Sequence, residues 1–297
     1  MKVSFCTIAF RHRPMALEDM IFIISKLGYD GIEIWGRHLK GHETSLRKIR
    51  EILEKRKIEV SMLSPYFDFT NNRHRWIKSI EEAKRMIAFA RELNSPLIRC
   101  FSGQIGSEYA TRKQWENGVE GIKHFAELAK KEGITIAIET HPNTLADTTT
   151  SILKLLEEIN MENVRINLDF YNMWETEQKD PIEILDMLYP YTVHIHAKNA
   201  DLLKGKVSPF NYVMDKNRDL ESIKSLERGD LNYKVILKEL LKMGYKDYIS
   251  VECFETKRSP LCVAEEEILF IKKNINREKR EKMELLQKIK KNSIISK

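Results

Sequence analysis

Short apolar runs rich in Ile, Val and Phe alternate along the chain with longer stretches whose apolar positions recur every three or four residues. The runs at 3–9, 31–35, 59–63, 97–101, 135–140, 165–169, 192–197 and 248–253 predict strands. Most lack polar alternation, as strands covered on both faces do. Between them a helical period predicts helices at 17–27, 46–55, 76–93, 111–131, 148–158, 181–188 and 233–242. Local punctuation agrees. Asp147, Thr148 and Thr149 form a helix start, and Asp180 before Pro181 is an N-cap with proline at the first helical position. Gly28, Gly133 and Gly244 each follow a helix and precede a strand, as C-terminal caps do.

Eight strand–helix units in alternation predict an α/β chain with a parallel sheet, and eight strands close a TIM (β/α)8 barrel. An open doubly wound sheet would carry a Gly-rich turn after its first strand, where Ala9-Phe10-Arg11-His12-Arg13 stands instead. The longest stretch without pattern, about 199 to 231, comes after the seventh strand and reads as a lid or binding loop. Residues 1–274 read as one barrel domain and 275–297 as a basic helical extension.

Composition adds exclusions. The chain has 297 residues, 42% hydrophobic and 32% charged, which supports a sizeable core and excludes disorder over most of its length. Net charge is 50 − 44 = +6, concentrated from Lys272 onward in what reads as a solvated final helix. The near-neutral remainder carries no nucleic-acid signal. No apolar run reaches the roughly 20 residues that cross a bilayer. The basic residues Arg11, His12 and Arg13 come after the first apolar run, the reverse of a signal peptide, so a cytoplasmic location is expected. Cys6, Cys100, Cys253 and Cys262 are scattered without CxxC spacing and predict free thiols. Nothing decides between a monomer and a homo-oligomer.

In such barrels the chemistry projects from the C-terminal ends of the strands. The last four strands end in Glu139, Asp169, His196 and Glu252. A single Glu there is ordinarily a surface residue or an ion-pair partner; four such groups on successive strands predict one shared cation. One imidazole with three carboxylates suits Mn2+ or Mg2+, with Zn2+ or Co2+ as further options. His194 and His196 share a strand face; His196, nearer the mouth, is the expected ligand and His194 a hydrogen-bonded core residue. Arg99 would grip an anionic substrate, with Gln104 close by in sequence. Lys198 would add a second cation or hydrogen-bond an enolate. Tyr66, Trp35 and Trp174 are candidates for cavity walls, although ordinary packing explains each as well. His141, two residues past Glu139, reads equally as a general base or as a hydrogen-bond partner of a ligand.

GYDGIEIWG at 28–36, ETHPNT at 139–144 and NLDF at 167–170 resemble the xylose isomerase-like barrel superfamily. TIAFRH at 7–12, IRCFSGQ at 98–104, ETHPNTLADT at 139–148 and HIHAKN at 194–199 resemble, more narrowly, the 3-dehydroshikimate dehydratases of petrobactin siderophore biosynthesis. The resemblance implies a metal-dependent barrel that converts 3-dehydroshikimate to 3,4-dihydroxybenzoate, supplying catecholate. It implies metal ligands at Glu139, Asp169, His196 and Glu252, substrate contacts at Arg99 and Tyr66, a lysine at Lys198 and a base at His141. Tyr212 corresponds to a substrate-loop tyrosine, although 201–228 matches poorly. Asn172 stands where many superfamily members have His, which speaks against a multi-metal site of the endonuclease IV kind. Two further readings are a ketose epimerase or isomerase using the same ion, and a non-catalytic barrel, which would have no use for His141 and Lys198.

Overall fold

The computed structural model describes residues 1–201, 223–255 and 257–295. Eight parallel strands close a barrel: β1 (Lys2–Cys6), β2 (Gly31–Trp35), β3 (Glu59–Ser64), β4 (Leu97–Cys100), β5 (Thr135–Glu139), β6 (Val164–Asp169), β7 (Thr192–Ala197) and β10 (Tyr248–Val251). Their order around the ring is β1-β10-β7-β6-β5-β4-β3-β2, closed by Ser4 opposite Gly31. The strands are buried almost throughout because helices cover the outside while side chains fill the inside. The helices are α1 (Leu17–Lys26), α2 (Leu46–Arg56), α3 (Arg73–Glu92), α4 (Arg112–Lys130), α5 (Thr149–Ile159), α6 (Phe170–Glu177), α7 (Pro181–Leu188), α8 (Tyr233–Lys242) and α9 (Pro260–Ile295). Each of α1 to α5 turns an apolar stripe inward, as Met20, Ile21 and Ile24 do on α1 and Ile122, Phe125 and Ala129 on α4.

The expected caps form. Thr148 and Ser151 make a reciprocal capping box on α5, and Asp180 accepts from the Ile182 N–H at 2.7 Å ahead of α7. Gly28, Gly133 and Gly244 have φ of +84°, +69° and +82°, the left-handed geometry a helix end requires.

Three differences from the sequence reading have physical causes. The apolar run 3–9 does not stay extended: after Cys6 the chain winds into a 3₁₀ turn, Thr7–Phe10, equally apolar and so indistinguishable by pattern. The patternless stretch after β7 holds two short antiparallel strands, β8 (Asn199–Ala200) and β9 (Ile223–Lys224). The Asn199 side chain staples this pair to the 226–231 turn, donating to Leu226 O at 3.1 Å and Leu231 O at 2.9 Å and accepting from Leu231 N at 3.1 Å. Tyr212 lies outside the described residues. Finally, α9 starts at Pro260 and runs unbroken past 274; its buried apolar residues include Val263, Ala264, Ile268, Ile271 and Ile275. Among the described residues, no helix is long and apolar enough to cross a membrane.

Glu267 on α9 is buried beneath the 225–229 turn, where both its oxygens accept from Leu226 N, at 3.0 and 3.2 Å. Burial pushes its carboxyl up to about 8, and Glu266 adds to the rise against the Leu226 hydrogen bond. A raised acid favours its protonated form in the folded state, so its contribution is lost as pH climbs from the usual carboxylate range through about 8. Glu267→Gln is therefore expected to gain about 1–3 kcal/mol over the parent at pH 8.5, the gap closing towards pH 5. Thermal melts at the two pH values check this.

Candidate metal centre

Two histidines of β7 organise the mouth of the barrel and the layer beneath it. His196 is fully buried, and its two ring nitrogens face different surroundings. Nε2 lies 3.0 and 3.1 Å from the two oxygens of Glu33, a residue of β2 on the far side of the barrel interior. Nδ1 faces Glu139 Oε1 at 3.6 Å, Asp169 Oδ2 at 3.8 Å and Glu252 Oε2 at 3.6 Å, and has no hydrogen-bond partner. The expected four ligands are thus brought together: one atom from each lies within 4.8 Å of the others. His194 sits a layer deeper with Nε2 at 3.2 Å from Glu33, as a core histidine should.

Each carboxylate is held by its own neighbours. Asp169 ends β6 and caps α6, its Oδ1 accepting from Asn172 N at 3.0 Å, which leaves Oδ2 turned to the mouth. Asn172 Nδ2 donates to Thr140 O at 2.9 Å and to Glu139 Oε1 at 3.4 Å, so the residue standing in place of a histidine orients a ligand. Arg99, 1% exposed, places Nη1 2.8 Å from Glu139 Oε2 and 3.7 Å from Glu252 Oε1. Its Nη2 donates to the carbonyls of Ser64 and Pro65, and the guanidinium lies between Tyr66 at 4.7 Å and Phe101 at 4.9 Å. Lys198 Nζ lies 2.9 Å from Asp169 Oδ2 and 3.0 Å from Glu252 Oε2. Burial pushes that ammonium down, but Asp169 and Glu252 outweigh it and keep it charged.

The charge pattern fits a divalent cation. Burial pushes Glu139 up, yet Arg99 and His196 outweigh it and hold it well below the usual carboxylate range. Burial pushes Asp169 up to about 6 against the pull of Lys198, with Glu252 adding to the rise. Burial pushes the His196 imidazole down, but Glu33, Glu252 and Glu139 outweigh it and hold it well above the ordinary histidine value: three carboxylates converge on an imidazole nitrogen with no hydrogen-bond partner and draw positive charge to this point. Two ligands on opposite sides of a Mg2+-sized ion are separated by at most about 4.2 Å. The 3.6–3.8 Å spacings around Nδ1 fit within that limit.

A cavity of about 540 Å3 opens above these groups, lined by Arg99, Glu139, His141, Lys198 and Glu252 among others. His141 comes just after β5 and sets Nδ1 2.7 Å from Pro142 O, with its ring 4.9 Å from Phe101. A carbonyl can only accept, so Nδ1 carries the proton and Nε2 keeps a free lone pair. Burial pushes the imidazole below the ordinary histidine value against Glu139, which favours the neutral ring. Trp35, Tyr66 and Gln104 line the same cavity, as expected. Trp174 does not. Helix α6 begins directly after Asp169 and carries Trp174 a full turn on, into a separate groove with Gln178 and Asp230.

The sequence reading missed three groups. Glu33 sits mid-strand in the apolar run GIEIW, where a buried charge needs a partner, and that was the signal available. Arg11 and Arg37 line the cavity from the turns after β1 and β2, where no periodicity marks them.

Residues 21–274 match the family described as xylose isomerase-like TIM barrel. A 3-dehydroshikimate dehydratase of Bacillus anthracis is 33% identical over 277 residues, covering 91% of this chain and 96% of the relative. The crystal structure of AsbF from the same organism, described as a probable 3-DHS dehydratase involved in petrobactin synthesis, superposes with a TM-score of 0.83 at 29% identity. That match covers 92% of this chain and 99% of the other. An inosose dehydratase of Lactiplantibacillus plantarum is 22% identical, over 87% of this chain and 89% of its own length. A closed ring of eight parallel strands, candidate metal ligands at four successive strand ends and a family match over most of its length agree: the chain belongs to the xylose isomerase-like TIM barrel family.

Proposed function

We propose that this chain dehydrates 3-dehydroshikimate to 3,4-dihydroxybenzoate, using one divalent ion, Mn2+ or Mg2+. The observation that carries the reading is His141: a neutral imidazole with a free Nε2, in a cavity it shares with Glu139 and Glu252 of the candidate ligands, in a chain 33% identical to a dehydratase of that substrate. An ion held by Glu139, Asp169, His196 and Glu252 would polarise a carbonyl oxygen and acidify the C–H beside it. His141 Nε2 takes that proton, and the electron pair forms a C=C bond as the neighbouring C–O bond breaks. The departing hydroxyl leaves with a proton as water. The remaining ketone then enolises, losing one ring C–H proton while its oxygen gains one, which completes the aromatic ring. Lys198, charged and on the ligand side of the cavity, stabilises negative charge developing there. Arg99 holds Glu139 in place while the reaction proceeds.

The test is incubation of Mn2+-loaded protein with 3-dehydroshikimate and, separately, with a panel of ketoses. Growth of the catechol ultraviolet band and recovery of 3,4-dihydroxybenzoate are expected, with turnover lost after chelation and restored by Mn2+. Epimerisation of a ketose with no change in dehydroshikimate would replace this reading with a sugar epimerase.

A further inference from the structure

The proposed substrate carries a carboxylate, and the inner cations are already engaged. Arg99 has its charge matched by Glu139 although its Nε is buried without a partner, and Lys198 lies between Asp169 and Glu252. The wall built by the turns after β1 and β2 is different. Arg11 sends Nη1 to the carbonyls of Ile8 at 3.4 Å and Cys253 at 3.3 Å, and Nη2 to Phe254 O at 2.7 Å. Neutral carbonyls fix this guanidinium without cancelling its charge, and its buried Nε has no hydrogen-bond partner. Trp35 is 5% exposed, and its Nε1 is likewise buried without a partner. Arg37 lies exposed with its guanidinium 5.1 Å from the Trp35 ring. Neither arginine forms an ion pair among the described residues.

All three residues line the metal-site cavity. They offer N–H donors alone, two of them buried and unmet, and buried donors in folded proteins normally find an acceptor. A guanidinium fork matches the two oxygens of a carboxylate. We infer that Arg11, Trp35 and Arg37 form the carboxylate-binding wall of this cavity. Strand β1 stands four places from β5 in the ring of eight, so the wall faces His141 across the mouth. A molecule anchored there extends over the ligand set towards the base. The identity of the substrate rests on the dehydratase reading; selection for a carboxylate does not.

The experiment compares two probes on the Mn2+-loaded protein by calorimetry: 3,4-dihydroxybenzoate, and catechol, which lacks only the carboxylate. Arg37→Gln and Trp35→Phe leave the Arg11–carbonyl bonds intact, so both should fold. The parent is expected to prefer the benzoate by about tenfold or more, and the double variant to lose most of that preference. KM for 3-dehydroshikimate should rise about tenfold in the double variant, with kcat falling less. A preference that survives in both variants, or one absent from the parent, overturns the wall. A preference that the variants erase, in a parent that does not dehydrate 3-dehydroshikimate, keeps the wall and removes the dehydratase reading.

Discussion

Replacing His141 with alanine is expected to lower kcat for dehydration by about 10²–10⁴-fold without changing the metal content of the protein. The two halves of this expectation rest on different observations. His141 contributes no atom to the cluster formed by Glu139, Asp169, His196 and Glu252, so the ion has no reason to leave. Its Nδ1 proton is committed to Pro142 O, and burial favours the neutral ring, so the remaining nitrogen is a base within the cavity. Steady-state kinetics with elemental analysis of the same preparation decides the matter. Retained turnover would move the base elsewhere, and lost metal would make His141 a ligand.

Glu33→Gln is expected to weaken Mn2+ binding by about 10–100-fold, the usual cost of losing the group behind a metal-bound histidine. Burial pushes the Glu33 carboxyl up, but His196 and His194 outweigh it and keep it ionised. An ionised carboxylate against His196 Nε2 demands a proton there, so when an ion displaces the Nδ1 proton of this raised imidazole the ring keeps the tautomer whose Nδ1 lone pair faces Glu139, Asp169 and Glu252. Glutamine preserves size but removes the charge that selects this tautomer. Titration of the metal-free protein followed by Mn2+ electron paramagnetic resonance gives the affinity directly, and a thermal melt reports folding alongside. Unchanged affinity would reduce Glu33 to a core hydrogen-bonding residue that also accepts from Ser64 and His194.

The candidate cluster was legible because barrel strands are short, apolar and covered on both faces, so a charged residue at a strand end stands out. Glu139, Asp169, His196 and Glu252 each close such a run or lie within a residue of its end. Strands β2 and β7 and helices α7 and α8 match the sequence pattern residue for residue, because their ends coincide with changes of polarity. Side-chain direction was less legible. Trp174 comes after the same strand as Asp169, but the immediate onset of α6 rotates it out of the cavity, and periodicity does not locate helix starts to that accuracy. Arg99 reads as a grip for an anionic substrate; that it also pairs with Glu139, forty residues away on the next strand, is visible only once β4 and β5 are side by side. Arg11 and Arg37 escaped notice for the converse reason: they belong to turns, and only closure of the ring brings those turns to the mouth that β5 also faces.

That closure also sets a length scale for selection. Strands β1 and β5 are diametrically opposed, so the turns after them stand on opposite sides of the mouth. A compound held at one end meets the imidazole at the other only if the separation between its anion and its acidic carbon matches the width of the opening. The ring of strands therefore works as a calliper, and shorter or longer homologues of a good substrate should bind yet fail to react.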